Sequence, residues 1–168
     1  MMKKITLLVA FAATIGIANA QSDYRQAIGI RVSSHTEYAA IAASYKFFVS
    51  DPGAIELNLG VGNRAYFGDR APGVSFAGTY QHHFDIQPVD GLRWFIGGGA
   101  VAFNSRSTHD DYNGFGFGVY PTGGVDYKFS NIPLNLSADF RPTFHVAAPD
   151  RYRNFHGHDV GIAARFTF

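Results

Sequence analysis

The chain contains no cysteine, so disulfides, thiolate chemistry and a lipid-anchored leader cysteine are all excluded. Excess charge of either sign is also missing, with 14 Lys plus Arg against 13 Asp plus Glu. That balance excludes the broadly basic surface a nucleic-acid partner demands. Beyond residue 20 no stretch is apolar for the roughly 20 residues a spanning helix needs. No repeat of 20 to 50 residues and no low-complexity segment interrupts the chain. A membrane role would therefore have to rest on strands.

What is present begins with a leader pattern. Lys3 and Lys4 precede an apolar stretch from Ile5 to Ile17, and Ala18-Asn19-Ala20 supplies the small-x-small pattern of a signal peptidase site. The expected organisation is a cleaved signal peptide, 1–20, and one domain, 21–168. Losing the two lysines takes Lys plus Arg to 12 against 13 acids, a formal charge of −1 for the exported chain.

The remainder alternates with the period of a strand. In the last ten residues Val160, Ile162, Ala164, Phe166 and Phe168 share one parity, against Gly161, Ala163, Arg165 and Thr167. The same rhythm predicts strands near 26–33, 39–48, 55–66, 74–84, 92–103, 116–129 and 134–144, eight in all. Within 92–103 the facing stays open: Leu92, Trp94 and Ile96 mark one face, Phe95, Val101 and Phe103 the other, and Gly97-Gly98-Gly99 permits a bulge or bend. Pro121 and Pro142 are blemishes, because proline cannot donate to a ladder. Ser50-Asp51-Pro52-Gly53 and Ser130-Asn131-Ile132-Pro133 read as tight turns, Asp85 to Gly91 as a somewhat longer connection, and 68–73, 104–114 and 147–158 as loops.

Eight strands place both termini on one side, with the short turns there and the long loops opposite. Tyr45, Phe47, Tyr80, Phe84, Tyr127, Phe129, Phe166 and Phe168 end the descending strands, the placement of an interfacial aromatic girdle. The second face of each strand is dominated by Gly, Ala, Ser and Asn with a few charges. Those side chains suit the inside of a narrow barrel better than the Lys-, Glu- and Thr-rich exterior of an exported lipocalin-like barrel, the soluble alternative. The expected fold is thus all-β: an eight-stranded antiparallel up-and-down transmembrane β-barrel.

With its terminal phenylalanine, alternation, strand number and girdle, the chain resembles the small bacterial outer-membrane barrels of the OmpA transmembrane domain and OmpX type. The resemblance implies Phe166 and Phe168 as an assembly signal read by the barrel-assembly machinery, and an interior filled by paired charges. Arg31, Lys46, Glu56, Arg64, Asp126, Lys128, Asp139, Arg141 and Arg165 have the inward parity. Since buried charges must be paired, Asp139 should face one or more of Arg31, Arg141 and Arg165.

The expected role is a monomeric outer-membrane scaffold with surface-binding loops, among outer-membrane lipid and lipopolysaccharide. Arg70, Arg106, Arg151 and Arg153 would meet headgroup phosphates, and Tyr152 and Phe155 would touch lipid or a surface partner. His109 with Asp110 and Asp111, and His156 with His158 and Asp159, have metal-ligand types, but without four convergent ligands no metal or cofactor is expected. His35 has no evident partner in the sequence. A small lipid-modifying enzyme, an acyl hydrolase or acyltransferase, is the alternative. Ser33, Ser34, His35 and Glu37, or Ser105, Ser107, His109 and Asp110, hold the right residue types without any Gly-x-Ser-x-Gly elbow. No catalytic residue is therefore expected.

Overall fold

The computed structural model describes residues 24–66, 69–106, 113–150 and 152–168, and of 64–66 and 69–71 the backbone alone. The expected leader lies outside the described residues. Ten strands follow in order: β1 Gln26–Ser33, β2 Ile41–Ser50, β3 Gly53–Tyr66, β4 Asp69–Asp85, β5 Leu92–Ser105, β6 Gly114–Lys128, β7 Leu134–Phe140, β8 Thr143–Ala147, β9 Phe155–His156 and β10 Val160–Thr167. All pairings are antiparallel between neighbours, and β5–β6 and β1–β10 complete a closed circuit. β7 and β8 are two halves of one stave, and β9 prolongs β10 at the loop end, so the barrel has eight staves.

Alternation fixes the faces. Ile28, Ile30, Val32, Ile41, Leu59, Val61, Val74, Phe76, Ile96, Val119 and Ile162 point outward and exposed, while Arg31, Ser44, Lys46, Glu56, Asn58, Gln81 and Arg165 are buried inside. A soluble barrel has the opposite arrangement, because exposing this much contiguous aliphatic surface to water is unfavourable by about 25 cal/mol per Å2. In β5, Phe95, Val101 and Phe103 are the buried set, and Trp94 and Ile96 face outward. The register from Asp85↔Arg93 to Gly73↔Ser105 is unbroken, so the three glycines carry no bulge and one parity holds throughout.

The two prolines share a rung. β6 pairs β7 up to Gly123↔Phe140 and resumes with β8 at Val119↔Phe144, a register that sets Pro121 opposite Pro142. The amides of Arg141 and His145 donate the other way, to Asp159 O and Asn154 O, both at 2.8 Å. Position 142 therefore faces β6, where Pro121 likewise has no N–H to offer. Both missing donors fall in one gap, and the ladder elsewhere is spared.

One expected loop is mostly strand. Of the segment 68–73, residues 69–73 pair with β3, from Tyr66↔Asp69 to Gly62↔Gly73. Its Pro72 does not break the hairpin, because Asn63, opposite it, donates its amide to Thr36 O at 2.8 Å instead. The chain ends meet at the turn end, where Gln26 and Phe168 exchange backbone hydrogen bonds of 3.1 and 2.9 Å.

Candidate functional site

Three layers of side chains fill the barrel. At the turn end Lys46 Nζ is ion-paired with Asp126 Oδ2 and lies 2.9 Å from His83 Nε2. Asp126 also accepts from Asn135 Nδ2 at 2.7 Å and from the Tyr24 hydroxyl at 3.3 Å. Asn135 Oδ1 in turn accepts from Arg165 Nη1 at 3.3 Å, which joins this layer to the next.

In the middle layer, Arg165 donates to Ser44 Oγ at 2.9 Å and Ser137 Oγ at 2.8 Å, and its Nη2 lies 2.9 Å from Glu56 Oε2. Glu56 further accepts from Gln81, Asn58 and Arg141, the last at 2.7 Å. Arg141 Nε lies 2.8 Å from Asp139, which is gripped by Arg31 through Nη2 at 2.6 Å and Nε at 3.1 Å. Arg31 Nη2 then reaches Asp159 at 3.2 Å. Asp139 thus pairs with Arg31 and Arg141, whereas Arg165 turns to Glu56. Among the described residues four buried cations, Arg31, Lys46, Arg141 and Arg165, meet four buried anions, Glu56, Asp126, Asp139 and Asp159. A set balanced in this way meets the condition for burying charge at all.

Gly161 makes the Arg31 position possible. A Cβ there would stand 2.2 Å from Arg31 Nη2 and 2.3 Å from its Cζ, so only glycine leaves the guanidinium room beside β10. Above it, between Arg31, Tyr38, Tyr120 and Arg141, lies a cavity of about 30 Å3, room for one or two waters by volume.

The third layer closes the loop end. The β1–β2 connection, 34–40, folds into the mouth against β3 and β4, held by Asn63 N on Thr36 O and Ser75 Oγ on Tyr38 O, both at 2.8 Å. Tyr38 stacks on Phe103 at 4.1 Å, and Phe103 meets Tyr152 at 5.1 Å. His145 Nδ1 lies 2.6 Å from the Arg153 carbonyl, which can only accept, so Nδ1 donates there, and Nε2 lies 2.9 Å from the Tyr38 hydroxyl. Burial pushes the Tyr38 phenol well above its ordinary pKa. Tyr152, expected at a lipid or partner surface, is instead buried in this plug, while Phe155 stays exposed and packs on Phe144 at 4.7 Å.

His35 also lies in the plug, fully buried, with ring centroids 4.2 Å from Tyr38 and 4.0 Å from His156. Its Nε2 is 3.8 Å from Glu37 Oε2 and its Nδ1 is 3.8 Å from Asp159 Oδ2. Desolvation lowers the pKa of His156 and favours its neutral ring. The hydroxyls of Ser33 and Ser34 donate to the carbonyls of Ala39 and His158.

Several expected positions lie elsewhere. Lys128 is half-buried at the turn, bonded to the carbonyls of Phe129 and Ile132, and takes no part in the lumen pairs. Arg106 and Arg153 are exposed at the loop end. The side chains of Arg64 and Arg70, and residues Ser107, His109, Asp110, Asp111 and Arg151, fall outside the described set. Tyr45, Phe47, Tyr80, Phe84, Tyr127, Phe129, Phe166 and Phe168 ring the turn end, and Trp94 joins them, stacked on Phe84 at 4.3 Å. Asp159, absent from the expected lumen set, shares the parity of Gly161, Ala163 and Arg165, the signal that would have found it. The His83–Lys46 contact had no comparable signal.

A closed eight-stranded barrel with an aliphatic exterior, an aromatic ring at one end and an ion-paired interior belongs to the class of membrane-spanning β-barrels. Among solved structures the chain is similar to the crystal structure of Neisserial surface protein A, NspA, with a TM-score of 0.55 and 16% identity over 88% of this chain and 98% of that one. At that identity the likeness concerns the fold. No protein-family model and no curated protein sequence matches the chain.

Proposed function

We propose that this protein is a monomeric integral outer-membrane barrel, a structural and surface-binding scaffold whose lumen is packed for stability and whose loop end is presented to the exterior. The observation that carries the reading is the inversion of its faces: aliphatic outside, ion-paired inside. A lumen in which four cations and four anions are mutually satisfied leaves no path for solute, so a pore role is not favoured. The likeness to the NspA fold supports an outer-membrane location, and the expected leader and the aromatic pair Phe166 and Phe168 fit export and handling by the assembly machinery. Exposed Arg106 and Arg153 are placed to meet phosphates of lipopolysaccharide, and the extracellular loops to meet a ligand of unspecified chemistry.

Acyl-transfer catalysis from the Ser33, Ser34, His35 and Glu37 set is not favoured. A nucleophilic serine must donate its hydroxyl proton to a base, and Ser33 and Ser34 donate theirs to carbonyls. Envelope fractionation, with gels of heated and unheated samples, tests the proposal. An outer-membrane protein whose unheated form migrates anomalously supports it, and a soluble periplasmic protein overturns it. Mass spectrometry of lipid A and phospholipids from cells with and without the protein should show one acyl profile. A difference abolished by His35→Ala would restore the enzyme reading.

A further inference from the structure

The loop-end mouth gathers a set of metal-ligand types from two separate segments. His35 and Glu37 come from the β1–β2 connection and His156 from β9, and one donor atom of each lies within 4.8 Å of the others. All three sit at least partly withdrawn from water, His35 completely. We propose that His35, Glu37 and His156 form a binding site for a divalent transition-metal ion of the zinc type, with a fourth position open toward the exterior.

The chemistry of the donors favours zinc over calcium or magnesium, since imidazole suits zinc, copper and nickel, and the harder cations take oxygen. Two histidines and one carboxylate are a complete protein set for a zinc ion that keeps one open position. In a tetrahedral site with bonds of about 2.0–2.2 Å, ligand atoms stand roughly 3.3–3.6 Å apart. His35 Nε2 and Glu37 Oε2 are already at 3.8 Å. Closing the remainder needs rotation of Glu37 and His156, both partly exposed side chains, with no change in the barrel.

Two further observations point to the same site. His156 Nε2 is buried and has no hydrogen-bond partner among the described residues. On the far side of the His35 ring, Asp159 Oδ2 faces Nδ1 at 3.8 Å and is itself held by Arg31 at 3.2 Å. A carboxylate behind a ligating imidazole fixes its tautomer and raises its basicity, the arrangement metal sites use outside their ligands. The lumen network would thereby orient the metal site, and the ion would tie the β1–β2 connection to β9.

The test is calorimetric titration of the folded, tag-free barrel in detergent with zinc chloride, after chelator treatment. The expected result is one ion per chain, with affinity lowered at least 100-fold by His156→Ala or Glu37→Gln and about 10-fold by Asp159→Asn. His158→Ala and His82→Ala should leave it unchanged. His156 and Glu37 are at the rim, so those variants should fold, and unheated gel mobility checks that each does. Cobalt added in place of zinc should give the intense visible absorption of a tetrahedral site in the parent chain and not in His156→Ala or Glu37→Gln. No zinc binding, or binding that survives both His156→Ala and Glu37→Gln, overturns the proposal and leaves the His35–His156 stack as packing.

Discussion

Asp139 ties Arg31 on β1 to Arg141 at the break in the seventh stave, as Glu56 ties Arg141 to Arg165. Removing Asp139 leaves Arg31 to Asp159 alone and Arg141 to the Glu56 it shares with Arg165, an uncompensated buried positive charge, so Asp139→Ala should cost about 3–5 kcal/mol. Removing Arg31 as well relieves part of that penalty. The double variant should be more stable than the sum of the single losses predicts by about 0.5–3 kcal/mol in urea titrations, and additivity would contradict the pairing. Gly161→Ala should cost about 1–3 kcal/mol, since its methyl must displace a guanidinium held by two carboxylates. Parity put Asp139 and Arg141 on the inward face where they are buried, though it also put Lys128 there, which stays at the turn, and Asp159 was left out. It left the partners open, because a period of two assigns a face and says nothing of which rung stands opposite.

At the scale of the strand, most of the fold was readable, and the exceptions have physical causes. The β3–β4 hairpin looked like a loop from Gly68 onward because at the rim the alternation of apolar residues ceases, although backbone pairing continues to Tyr66↔Asp69. The β1–β2 connection and Tyr152 fold back into the mouth, and inward-folding loops have no periodicity to betray them. Pro121 and Pro142 looked like defects until the register placed them on one rung. Pro121→Ala should therefore shift stability by less than about 1 kcal/mol, whereas Val119→Pro, two residues along in an intact ladder, should prevent folding or cost several times more. Arginine at Leu59, Leu136 or Ile162 should cost about 2–4 kcal/mol in bilayers, if these side chains sit near the midplane. Folding titrations into lipid vesicles would measure it.

For the whole molecule, the inversion of faces turns a chain of middling hydrophobicity into one that lipid stabilises. Every stave contributes one aliphatic edge to the exterior, and the polar edges neutralise one another within. The closed lumen predicts that planar bilayers containing the purified protein show no stable unit conductance, and a steady ohmic step would refute the packed interior. The most direct test of the account is site-directed spin labelling of the folded protein in lipid vesicles at positions 59, 136 and 162. Nitroxides there should be relaxed strongly by oxygen and hardly at all by a water-soluble nickel complex. Relaxation by the nickel complex at all three would mean that this face meets water, and the membrane-spanning reading would fall.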